Sequence, residues 1–275
     1  MSLAYVTTCM GRLEHLQRSL PRIVGQPGVS CVVVDYSCPD GAGDWVERHH
    51  HGVKVVRIPG ETRFNLSRAR NAGAAAAGGA EWLGFFDADI LLDESFASKV
   101  VPSLRRGAYY RSSAATLQTW GSIICHRDDF HAIGGYDENY EGWGGEDDDL
   151  VWRFTARGSA ASTFPGELVE AIDHSDEMRT RFHEVKDWRV QLRINTLYRT
   201  VKFDLTALAG RPVQPEVLRA VFQQITSLVR AASDPAAPIA LELDLGMVLE
   251  RHPRDSHLQT INRKLSYLAQ TKPVA

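Results

Sequence analysis

The carboxylates of this sequence fall into two groups whose spacing could do chemistry. Glu146-Asp147-Asp148-Asp149 follow the glycine-rich turn Gly142-Trp143-Gly144-Gly145. Acids in the first turn of a helix are stabilised by its macrodipole, and the residues from about Asp147 to Ala156 read as that helix. One or two acids would be enough for that purpose. Four in a row repel one another, so the excess points to use. An aromatic such as Trp143 beside carboxylates suits a sugar, since the ring packs on an apolar face while carboxylates accept hydroxyl protons. The second group, Asp87-Ala88-Asp89, closes the apolar run Trp82 to Phe86. Side chains two apart on a strand point the same way. Such a pair can hold Mg²⁺ or Mn²⁺ and leave positions for water and substrate phosphates. By itself the pattern is equally a polar strand end with turn-forming aspartates. Together the two groups indicate a site that holds a divalent cation and removes a proton.

His174, in Asp173-His174-Ser175-Asp176, is a candidate third metal ligand or a surface histidine. A calcium loop from Asp137 through Asn139, Glu141 and Gly142 to Asp148 fails, because position twelve should be glutamate and Gly144-Gly145 break its second half. There is no Walker A motif, no complete G-x-G-x-x-G and no convincing nucleophile triad. His49-His50-His51 read as a solvated helix end. Cys9, Cys31, Cys38 and Cys125 lack CxxC spacing and read as reduced thiols of a cytoplasmic protein.

Positioning these groups calls for a parallel α/β sheet. Strands are expected at 3–9, 31–34, 53–58 and 82–86, with a helix through Leu13, Leu16 and Leu20 ending before Pro21. A second helix is expected from Asn65 or Ser67 to Ala77. Alternating strands and helices imply parallel pairing, with ligands beyond the carboxyl ends of the strands. Asp35, Asp87 and Asp89 all fall at such ends. Further helices are expected through Val185–Val201 and Val217–Val229, with a boundary at Gly210-Arg211-Pro212 and a last helical stripe at Leu258, Ile261, Leu265 and Leu268. At 275 residues and net charge −3, the chain can bury a sizeable core and has no electrostatic footprint for nucleic acid. No signal peptide or membrane span is read.

Taken together, these residues resemble nucleotide-sugar glycosyltransferases of the A-type fold. Val32-Val33-Val34-Asp35, Ser67-Arg68-Ala69-Arg70-Asn71-Ala72-Gly73 and Asp87-Ala88-Asp89 look like family 2 enzymes. Gly134-Gly135-Tyr136-Asp137-Glu138 through Gly142-Trp143-Gly144-Gly145-Glu146-Asp147-Asp148-Asp149-Leu150 is similar to the C-terminal galactosyltransferase motif of β-1,4-galactosyltransferases and chondroitin-type polymerases. The resemblance covers roughly residues 3–180. It implies a Rossmann-like, mostly parallel sheet flanked by helices, with a C-terminal helical extension. The catalytic domain would be 1–205, its nucleotide-binding half about 1–106 and its acceptor-binding half about 107–205, and 206–275 would be mostly helical.

The resemblance also implies roles. Thr8, Arg12, Asp35, Phe64, Arg70 and Asp87 would bind the nucleotide sugar, Asp35 at the uracil or ribose. Asp89 and His174 would hold Mn²⁺ or Mg²⁺. Asp147 would be the general base, its proton affinity raised by neighbouring carboxylates, and Trp143, Glu146 and Asp148 would bind the acceptor. Phe64-Asn65 resembles a galactosyltransferase segment whose next residue is arginine; here it is Leu66, with Arg68 or Arg70 to compensate. The implied reaction is metal-dependent, inverting transfer of a hexosyl group from a UDP-sugar to a glycan or glycoconjugate hydroxyl. A sugar-phosphate nucleotidyltransferase and a non-catalytic carbohydrate-binding protein are the alternatives. Homo-oligomers through the C-terminal helices and peripheral membrane contact stay open.

Overall fold

The computed structural model describes residues 1–232, 234, 237–247 and 262–270. They divide into two units: Met1–Glu141 with Glu146–Lys186, and Gly142–Gly145 with Asp187–Ala275.

The first unit begins as alternating strands and helices: β1 (Leu3–Cys9), α1 (Leu13–Ile23), β2 (Val29–Tyr36), α2 (Ala42–His49), β3 (Lys54–Ile58), α3 (Leu66–Ala76) and β4 (Trp82–Phe85). There follow β5 (Ile90–Leu92), α4 (Phe96–Val100), β6 (Ala108–Ser112), β7 (Ile123–His126), α5 (Arg127–Ala132), α6 (Glu146–Ala156), β8 (Ala160–Phe164), β9 (Val169–Ala171) and α7 (Asp176–Thr180). Seven strands form one sheet in the order β3-β2-β1-β4-β7-β6-β8. β1 to β4 pair in parallel, β7 runs antiparallel between β4 and β6, and β8 joins β6 in parallel. The chain winds outward from β1 through β2 to β3, then returns to place β4 on the other side of β1. That reversal puts the topological switch point between β1 and β4, beyond whose carboxyl ends α/β sheets of this kind bind ligands.

β1 is buried at every residue, as a strand covered on both faces must be. α3 lies close against the sheet because Gly73 has no side chain: a Cβ there would stand 2.3 Å from Val6 Cγ1. The helix starts where Asn65 accepts the Arg68 N–H, satisfying one of its unpaired first-turn donors. Tyr5, Phe86, Phe96 and Phe164 pack edge-on or tilted in the core on one side of the sheet. Phe85, Phe130 and Tyr136 do so on the other.

Three expectations need correction in this unit. Pro21 does not end α1; in the last turn its missing N–H costs one bond, and the helix runs to Ile23. β4 stops at Phe85, so Asp87 and Asp89 lie in the turn leading to β5 rather than on one strand face. β2 extends two residues beyond the expected strand at each end.

The second unit holds α8 (Trp188–Ala209), α9 (Pro215–Ala231) and an antiparallel pair, β10 (Ile239–Asp244) and β11 (Lys264–Ala269). Gly210 caps α8 in the left-handed conformation, which places the expected boundary between the helices. The break between units falls after Lys186, and α8, one continuous helix, is not interrupted at 205. Nor is the extension helical throughout. Leu265 and Leu268 belong to β11, paired in register with Leu243 and Ala240; Leu258 and Ile261 lie outside the described residues. Within this unit Gln191 Oε1 accepts the Trp143 N–H, and Asn195 Nδ2 donates to the carbonyls of Trp143 and Gly144. Trp143 packs edge-on against Trp188 at 5.4 Å.

Candidate active site

Arg70 is the centre of the site. Its side chain is 1% exposed, on the buried face of α3 with Ser67, Gly73 and Ala74. One guanidinium nitrogen donates to Asp147 Oδ1 at 2.7 Å and the other to Asp87 Oδ1 at 2.9 Å. The Tyr136 ring lies 5.0 Å from the guanidinium carbon, and its hydroxyl donates to the same Asp147 oxygen at 3.3 Å. A planar, always-charged fork joins two carboxylates through separate nitrogens in fixed geometry, which a lysine ammonium does not offer. Gly121 closes the arrangement. A Cβ there would come within 2.8 Å of both the Arg70 guanidinium and Asp147 Oδ2. The resemblance places Arg70 at the nucleotide sugar; in this structure its guanidinium nitrogens face two carboxylates.

Asp89 has other partners. His174 Nε2 lies 2.9 Å from Asp89 Oδ2, and Arg12, the residue that opens α1, approaches the same oxygen at 3.4 Å. Burial alone would raise the Asp89 pKa. The His174 hydrogen bond and the Arg12 charge outweigh burial and hold the pKa below the usual carboxylate range. His174 Nδ1 lies 3.2 Å from the Ser175 carbonyl, which orients the ring with Nε2 toward Asp89.

Asp89 Oδ2 and His174 Nε2 meet at hydrogen-bond distance, and an oxygen and an imidazole nitrogen are donor types that could hold a divalent cation. No group of three or more His, Cys, Asp or Glu converges on a cation among the described residues. Any ion here would rely on two protein ligands, completed by water and phosphate oxygens, as magnesium-type sites commonly do.

The acidic run opens α6 as expected. Asp147 turns to Arg70, and Asp148 Oδ1 accepts the indole N–H of Trp120 at 2.9 Å. Asp149 is fully buried and paired with Arg153 at 2.7 Å. Glu146 is 7% exposed, and its Oε2 has no hydrogen-bond partner among the described residues. Burial first, and then the charge of Asp147, push its pKa up to about 8. Burial, more than crowding of the carboxylates, sets this shift at Glu146.

The remaining expected nucleotide contacts surround the ends of β1 and β2. Thr8 is buried opposite Val34. Asp35 is also buried, and it accepts backbone N–H bonds from Cys38 at 2.8 Å and Gly43 at 2.9 Å, with Arg57 at 3.3 Å. Asp35 therefore shapes the β2–α2 loop. Phe64 packs edge-on against Tyr36 at 5.3 Å and donates its N–H to the Phe182 carbonyl. Sequence reasoning quoted Tyr136 only as part of a motif and gave no part to Gly121 or Trp120. The one available signal was an arginine on the small-residue face of α3, which a buried position would oblige to find carboxylates.

Residues 6–130 match the family described as glycosyl transferase family 2, and residues 105–193 match the one described as the N-terminal domain of galactosyltransferase. Mouse β-1,4-galactosyltransferase 1 is 28% identical over 163 residues, 56% of this chain; the chain spans 40% of the length of that protein. Residues 1–349 of S. aureus TarS, in complex with UDP-GlcNAc, share the fold with a TM-score of 0.58 at 12% identity, over 82% of this chain and 70% of that one. The complex of the same TarS segment with UDP gives 0.55 at 11%, over 85% and 73%. At such identities the likeness is one of fold. Fold and family matches point the same way: the chain has the A-type glycosyltransferase fold, and it is similar to glycosyl transferase family 2 over residues 6–130 and to galactosyltransferase over residues 105–193.

Proposed function

We propose that the chain moves a hexosyl group (galactosyl, N-acetylgalactosaminyl, glucosyl or similar) from a UDP-sugar to a hydroxyl of a glycan or glycoconjugate. Transfer is metal-dependent and inverts the anomeric carbon. The observation that carries the reading is the Arg70 bridge, which holds Asp147 of the acidic run beside Asp87 of the nucleotide half. TarS, which shares the fold, has been crystallised with UDP and with UDP-GlcNAc, which supports a nucleotide-sugar donor.

In this reading Thr8, Arg12, Asp35, Phe64 and Asp87 surround the nucleotide. Asp89 and His174 would hold Mn²⁺ or Mg²⁺, which when bound would offset the charge developing on the departing diphosphate. Asp147 takes the acceptor proton. Its Oδ1 is already occupied by Arg70 and Tyr136, so Oδ2 is the oxygen presented to the acceptor. Glu146 and Asp148 are the residues of the first unit that bind the acceptor. Arg70 orients the base instead of binding phosphate.

Asp147→Asn tests the assignment. Loss of a general base costs ~10²–10⁴-fold in rate, so transfer should fall by that much while UDP binding in Mn²⁺ is kept. Undiminished transfer would remove Asp147 from the mechanism.

A further inference from the structure

The loop joining β6 to β7 exposes an aromatic ring beside the acidic run. Trp120 is 42% exposed and Leu117, three residues before it, 64%. Yet the ring is fixed. The Arg111 guanidinium carbon stands 3.5 Å from the ring centroid, and Arg111 Nη2 donates to the Trp120 carbonyl at 2.8 Å. The indole N–H is tied to Asp148 Oδ1 at 2.9 Å. The loop beneath is braced by Thr119, whose hydroxyl accepts the Thr116 N–H and whose carbonyl accepts the Ser122 N–H. Trp120 is followed by Gly121, which abuts Asp147 Oδ2.

A tryptophan kept only for stability would be buried more deeply. This one is held by its edge and by a cation, as a recognition surface is when its ordering cost is met before binding. We propose that Trp120 is the stacking platform for a pyranose ring of the acceptor, with Arg111 and Asp148 as the groups that hold it in place. The proposal rests on the transferase reading and narrows it: the acceptor unit is a cyclic sugar with an apolar C–H face, not an open-chain polyol. One side of the sugar packs on the indole. Its hydroxyl edge then lies toward Asp147 and Asp148, whose carboxylates accept from hydroxyls.

Saturation-transfer NMR on the full chain tests this without requiring turnover. The probes are methyl β-D-glucopyranoside, methyl β-D-galactopyranoside and N-acetylglucosamine, with ribitol as the open-chain control, each with and without UDP. We expect saturation on the protons of one ring face of at least one pyranoside. Trp120→Ala should weaken that binding about tenfold, Trp120→Phe should keep most of it, and ribitol should respond to neither change. Retained UDP binding by Trp120→Ala shows that the variant is folded. Pyranoside binding unchanged in Trp120→Ala, no pyranoside binding by the wild type, or ribitol binding that depends equally on Trp120 would each overturn the platform. Turnover of UDP-sugars, measured separately, decides the transferase reading alone.

Discussion

A guanidinium buried between two carboxylates cannot be removed without stranding their charges, and this makes Arg70 the residue on which the site's integrity depends. Truncating one partner of a buried ion pair costs ~3–5 kcal/mol. Arg70→Ala should therefore lower unfolding free energy by that order in urea titration; a loss below about 1 kcal/mol would show that the bridge is not held. Glu146 makes a second prediction. Its folded pKa of about 8 lies above its unfolded value, so the folded state keeps a proton that the unfolded chain releases. Its stabilising contribution is complete below the unfolded pKa and is lost as pH rises through about 8. Glu146→Gln, which mimics the protonated form, should match wild-type melting near pH 4 and exceed it near pH 9. Equal pH profiles would contradict the shift. Cys38 is the third case. The hydrogen bond with Cys9 Sγ at 3.8 Å, then the backbone N–H of Gly11 at 3.2 Å, bring its pKa down to about 6 despite partial burial. Among the four cysteines it should be alkylated first by iodoacetamide at pH 7, as peptide mapping would show. Modification of Cys31 or Cys125 ahead of it would contradict this.

At the scale of elements, strands β1 to β4 and helix α3 were legible because each satisfies several local rules at once. Buried runs end in aspartates, Asn65 supplies the cap, and Gly73 allows close packing. The C-terminal pair was not legible as a pair. Leu265 and Leu268 are spaced as on a helix, whereas β11 is chosen by its partner β10, whose Ile239, Leu241 and Leu243 alternate inward. The acids and His174 could be read from spacing and resemblance. The contacts that join them could not, since Arg70 and Asp147 are 77 positions apart. Element packing makes its own prediction at Gly121. Any side chain there meets Arg70 and Asp147, so Gly121→Ala should reduce transfer by about tenfold or more while leaving UDP affinity within about twofold. Full activity in that variant would mean that the loop from β6 to β7 does not position the base.

Considered as a whole molecule, the first unit carries all of the charged constellation, from Arg12 and Asp89 through Arg70 to Asp147, on one seven-stranded sheet. In the second unit, α8 holds the Trp143 turn through Gln191 and Asn195. No helix among the described residues is long and apolar enough to cross a membrane. The central claim is that this arrangement turns over a UDP-sugar with a divalent ion at Asp89 and His174. The most direct test is UDP release from a panel of UDP-sugars, with Mn²⁺ and with chelator, by the wild type and by Asp89→Ala. The account predicts metal-dependent release from one preferred donor, lost on chelation and lost in the variant. Absence of release from every donor, together with absence of UDP binding in Mn²⁺, would contradict it.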